Sequence, residues 1–117
     1  MKPLFSLLFL LPLFSLAQNG FSIKGSVTGF NNGSVVRVFS SQDSTQVIAN
    51  GKLNGTDFNL SGQVAEPGLY YLQIGNAQPQ HIYVENAAIQ VTGTKKEINK
   101  LQITGSQAHK DFEEFRS

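Results

Sequence analysis

From Phe21 onward, apolar and polar residues alternate with a period of two. Phe21, Ile23 and Val27 are interleaved with Ser22, Lys24 and Ser26, which sets one apolar face of a strand inward. Gly29-Phe30-Asn31-Asn32-Gly33 is a turn cluster. Ser34 to Phe39 reads as a second strand, with either Val36 and Val38 or Val35 and Phe39 facing the core. Thr45 to Ala49 is a third, and Asn50-Gly51 suits the two-residue turn after it. Thr56 to Gly62 follows with Phe58 and Leu60 on one side. Glu66-Pro67-Gly68 interrupts, because proline cannot donate to a ladder. Gly68 to Ile74 sets Tyr70, Leu72 and Ile74 against Leu69, Tyr71 and Gln73. Gln80 to Val84, Ala88 to Val91 and Leu101 to Thr104 complete the set. About seven or eight short strands separated by turns predict an all-β domain over 18–105, an antiparallel β-sandwich or barrel.

The period changes at both ends. Leu4 to Leu16 is apolar apart from Ser6, Pro12 and Ser15, follows Lys2, and ends in Ser15-Leu16-Ala17. This is the pattern of a signal peptide over 1–17, cleaved before Gln18. A bilayer span needs about 20 apolar residues, so no stable membrane span is expected after cleavage. At the other end Ser106 suits a helix N-cap, and Ala108, Phe112 and Phe115 recur at i, i+4 and i+7. That amphipathic C-terminal helix is marginal alone. Its two phenylalanines, Phe112 and Phe115, are therefore expected to contact a further domain, and 106–117 to begin a helical linker.

Charge and composition narrow the functional classes. Without Lys2 the chain carries eight basic and eight acidic side chains, so it lacks the basic stripe of a nucleic-acid binder. It has no cysteine, which removes disulfides and thiol catalysis. His81 and His109 fall in different elements, and His81 is expected on a solvent face. His109 and Glu113 form a helical i,i+4 pair. His81 with Glu85 cannot hold a metal by themselves, and no set of three or four ligands has convergent spacing. Glu66 and Glu85 show no spacing that favours paired-carboxylate chemistry. No catalytic residue, cofactor or metal is expected, and the chain is not read as an enzyme.

Binding residues are easier to nominate. Tyr70, Tyr71 and Tyr83 could form a sugar-stacking platform, although adjacent tyrosines on a strand face opposite sides. That leaves Tyr71 and Tyr83 as candidate binding residues, alongside an open sheet edge. Asn32, Asn54 and Asn59 head Asn-x-Ser/Thr triplets, which are glycan acceptors only in a eukaryotic secretory chain. Asp43-Ser44-Thr45 is similar to a short O-glycosylation acceptor of some bacterial envelopes. Asp-Ser opening a turn accounts for the same residues.

The order of these weak motifs resembles a known arrangement. Phe21-x-Ile23-x-Gly25, Asp43-Ser44-Thr45-Gln46-Val47, Asn50-Gly51-Lys52-Leu53, Phe58-x-Leu60-x-Gly62, Glu66-Pro67-Gly68-Leu69-Tyr70, Ile89-x-Val91-x-Gly93 and Ile103-x-Gly105-Ser106 follow one another. They resemble the uncharacterised N-terminal β-domain found ahead of the thioredoxin-like domain in exported TlpA-type thiol–disulfide oxidoreductases of Gram-negative bacteria. Leu53 stands where that family commonly has an aromatic. The resemblance implies a non-catalytic accessory domain in the periplasm or cell envelope, with a downstream thioredoxin-like domain or protein as partner. Pairing with a second copy as a homodimer is another role open to such a domain. The family's Cys-x-x-Cys centre is missing from this sequence, so no catalytic residue carries over. The alternative is a self-contained envelope module that binds glycan or protein.

Overall fold

The computed structural model describes residues 20–105. The signal peptide expected at 1–17, and the helix expected at 106–117 with Phe112 and Phe115, lie outside the described residues. The strands are β1 (Phe21–Thr28), β2 (Val35–Ser40), β3 (Val47–Lys52), β4 (Asp57–Gly62), β5 (Gly68–Ile74), β6 (Gln80–Val84), β7 (Ala88–Thr94) and β8 (Gln102–Thr104). A 3₁₀ turn at Ile98–Lys100 precedes β8. Two four-stranded sheets form, in the orders β4-β1-β7-β8 and β3-β2-β5-β6. The architecture is thus a sandwich and not a barrel.

Alternation dictates the core. β1 buries Phe21, Ile23, Gly25 and Val27 and turns the residues between them outward. Phe58 and Leu60 on β4, Leu72 and Ile74 on β5, Ile82 and Val84 on β6, and Ile89 and Val91 on β7 meet them in one cluster. On β2 the inward pair is Val36 and Val38. Burying each such side chain stabilises the fold by about 1.5–3 kcal/mol, and both sheets share the gain. Gly25 lies opposite Phe58 in the β1–β4 ladder. A Cβ there would collide with the Phe58 ring, so the glycine makes the room that the ring fills.

Two features depart from the alternation reading. β1 and β7 run parallel, whereas the other strand pairs are antiparallel. Periodicity is blind to strand direction, so the sequence pattern could not give this. Asn50-Gly51 does not turn the chain: both residues lie inside β3, opposite Arg37 and Val36. The chain reverses instead at Asn54-Gly55-Thr56-Asp57, passing from one sheet to the other, where Gly55 has φ +69° and Asn54 and Asp57 exchange backbone hydrogen bonds of 2.8 and 3.2 Å. Gly51 serves close packing instead, since a Cβ on it would stand 2.9 Å from the Leu60 side chain.

Side-chain amides fasten the loops. Asn86 accepts a bond from the Val64 amide (3.1 Å) and donates to its carbonyl (2.8 Å), copying a backbone pair. Asn32 Oδ1 accepts from the Gly55 amide at 2.7 Å and ties the β1–β2 loop to the β3–β4 turn. No helix among the described residues is long and apolar enough to cross a membrane.

Candidate functional site

The residues that alternate with the core on β3, β2, β5 and β6 form an outer face of mixed aromatic, aliphatic and cationic character. Strand register arranges them in rows. Asn50, Arg37 and Gln73 lie side by side across β3, β2 and β5. Val47, Phe39, Tyr71 and His81 make the next row, across all four strands. Leu69 and Tyr83 pair beyond it, and Val35 pairs with Lys52 at the opposite end.

The central row is a ladder of rings. Tyr71 and His81 stack with centroids 4.7 Å apart and planes 17° from parallel. Phe39 tilts against Tyr71 at 5.7 Å. The Arg37 guanidinium lies 4.7 Å from the Phe39 ring centre, within cation–π range. Phe39 is therefore buried without belonging to the central core. A bulge between β2 and β3 at Val38 and Phe39 sets Val47 opposite Phe39.

Arg37 is oriented by a neighbour. Its Nε and Nη2 both donate to Gln73 Oε1, at 3.2 and 3.1 Å. Gln73 Nε2 donates in turn to the Ala77 carbonyl at 3.1 Å, which fixes the amide with its oxygen toward the arginine. Val35 and Val47, 48% and 37% exposed, are the large exposed aliphatics among the described residues, and both lie on this face. Tyr71 and His81 also border a cleft of about 380 Å³, with Leu101 and Ile103 on its other side.

Of the nominated residues, Tyr71 and Tyr83 share this face, and Tyr70 packs against the core, as strand alternation requires. A three-tyrosine platform is therefore not assembled. His81 is exposed, as expected, but it is joined to Tyr71 by the β5–β6 register. Phe112 and Phe115 lie outside the described residues. Sequence reasoning missed Arg37 and Gln73. The only available signal was their place at alternate positions in Val35–Ser40 and Gly68–Ile74.

The opposite face, on β4, β1 and β7, has Lys24, Ser26, Asp57, Asn59, Gln90 and Thr92 around a shallow groove of about 590 Å³. The β2–β3 loop holds Asp43, whose Oδ1 accepts from the Thr45 hydroxyl (2.6 Å) and amide (3.0 Å). The hydroxyl bond first, and the amide bond second, keep that carboxyl below its usual range. Among the described residues no three His, Asp or Glu side chains gather as metal donors. The outer face of β3-β2-β5-β6 thus sets exposed apolar area, aromatic rings and a held guanidinium side by side.

No match was found among curated proteins or solved structures. Residues 21–112 match a family model that spans the whole sandwich and both of its outer faces. On that match the chain belongs to the family described as a domain of unknown function, DUF4369.

Proposed function

We propose that this domain is a non-catalytic accessory module of an exported bacterial protein, one that binds its partner through the outer face of β3-β2-β5-β6. The observation that carries the reading is that Val35 and Val47, the large exposed aliphatics among the described residues, both lie on that face, Val47 in the row of the Phe39–Tyr71–His81 ladder and Val35 at the far end of β2. Apolar area collected on one side of a soluble domain marks a contact surface. The partner is a thioredoxin-like domain or protein of the TlpA type. That assignment rests on the motif order from Phe21 to Ser106, and export rests on the pattern of residues 1–17. Catalysis belongs to the partner.

The protein-binding reading is preferred to a glycan platform on geometric grounds. Sugars stack on the flat faces of aromatic rings, but one face of Tyr71 is covered by His81, and Phe39 tilts toward the ring at 5.7 Å. Rings offering edges suit the irregular apolar surface of a protein.

The test is an NMR titration with a purified TlpA-type oxidoreductase of the same genome. Resonances of Val35, Val47 and Tyr71 are expected to shift, and a Val35→Lys, Val47→Lys double variant is expected to lose the interaction while keeping its fold. Absence of any shift at protein concentrations near a millimolar overturns the proposal.

A further inference from the structure

We infer that Arg37 recognises a carboxylate on a partner polypeptide, one carried by a segment whose neighbouring side chains are apolar. This deepens the docking reading above and rests on it. Arg37 is half-buried on β2, and among the described residues its side chain makes two polar contacts, both with Gln73 Oε1. Among the described residues no Asp or Glu reaches it. Nor does any Asp or Glu occupy a registered position on either side of this four-stranded sheet. The nearest cation in register is Lys52, two residues from Asn50 on β3, so the registered positions of this face carry positive charge and no carboxylate.

A guanidinium has five N–H donors in a planar fork, and Gln73 occupies two of them. The remaining donors keep their direction because stacking on Phe39 and the Gln73–Ala77 bond hold the group in place. Such a pre-set fork suits the two oxygens of a carboxylate. A neighbouring guanidinium in an apolar surround also pays part of its desolvation before binding, and an arriving anion compensates it. The anion's surroundings are given by the same rows: Val35, Phe39, Val47 and Tyr71 frame the arginine with apolar surface. A free inorganic anion would leave that surface wet. A nucleic acid would need more than the two cations this face carries. An acidic residue set among aliphatic or aromatic ones satisfies both halves of the site.

The experiment uses isotope-labelled protein isolated after expression of the full chain. The probe is a capped peptide of alternating leucine and glutamate, and the control replaces each glutamate with glutamine. The glutamate peptide is expected to shift the Arg37 Nε–H signal and the amides of β2, β3 and β5. It should bind about tenfold more tightly than the glutamine peptide. Arg37→Gln should abolish that difference. Arg37→Lys keeps the charge and loses the fork, so it should retain part of it and more of it at low salt. Gln73→Ala leaves Arg37 present but unheld. As a positioning change it should weaken the glutamate peptide while leaving binding of the glutamine peptide unchanged. Thermal midpoints check that each variant is folded.

Equal affinity for the two peptides overturns the inference, as does inorganic phosphate alone producing the same shifts at the same concentration. Shifts confined to the β4-β1-β7 face overturn it too. If the TlpA-type protein binds this face and Arg37→Lys binds it equally well, the carboxylate inference fails and the docking reading stands. If neither that protein nor any peptide shifts the face, both fail.

Discussion

The two outer faces of the sandwich are built on the same period and carry opposite chemistry. On β4, β1 and β7 the outward rows are Asn59, Lys24, Gln90 and Asp57, Ser26, Thr92, with Ala88 as the one apolar member in register. On β3, β2, β5 and β6 the outward rows hold Val35, Phe39, Val47, Leu69, Tyr71 and Tyr83. Polar and charged side chains on the first face stay hydrated and gain little from one another. On the second, rings and aliphatics touch across strands and still leave apolar area exposed. One face is therefore complete in water, while the other gains by being covered. A sheet stabilised only from within, beside a sheet stabilised from both sides, is the structural difference that the proposed function uses.

The strongest way to break the comparison is from the core side of the polar sheet. Gly25→Ala sets a methyl group against the Phe58 ring, and overpacking of this kind costs about 1–3 kcal/mol. Urea unfolding is expected to register that loss. A change under half a kilocalorie would mean that Phe58 has room to move. The second way compares the faces directly. Tyr71→Ala removes ring contacts with Phe39 and His81 and should cost about 0.5–1.5 kcal/mol beyond its lost area. Gln90→Ala on the polar face should stay within about 0.5 kcal/mol. Equal effects in the same denaturation series would erase the distinction between the faces.

The smallest effect sharpens the loop at one end of the contact face. Thr45→Val removes the hydroxyl that bonds Asp43, so the Asp43 carboxyl should titrate closer to its usual range. Because its folded value is lowered, the turn's contribution is present above the usual carboxylate range. It is lost as pH falls through the lowered value. A carbon-detected NMR titration of wild type and variant follows both, and identical midpoints would assign the lowering to the Thr45 amide alone.

Much of this molecule is written in its alternation. The inward sets Phe21-Ile23-Val27, Phe58-Leu60 and Leu72-Ile74, and the opposite facing of Tyr70 and Tyr71, follow from a period of two, because each strand residue must point away from its neighbours. For β2 that rule offered two answers. The structure takes the first: Val36 and Val38 enter the core, while Val35 is exposed and Phe39 is buried on the outer side under Arg37 and against Tyr71. Asn50-Gly51 carried the local chemistry of a turn, yet close packing against Leu60 keeps it in β3, and Gly55 takes the positive φ.

The sequence by itself determined where most of the strands lie and which side of most of them is apolar. Only the tertiary structure decided that β1 and β7 run parallel, and that Phe39, Tyr71 and His81 from three strands stand in one row with Arg37 and Gln73 beside it. The physical reason is range. Alternation is a property of one strand and its nearest neighbours in the chain, whereas direction and register are set by distant partners, Ser22 with Ala88 across 66 residues (88 − 22) and Arg37 with Gln73 across 36.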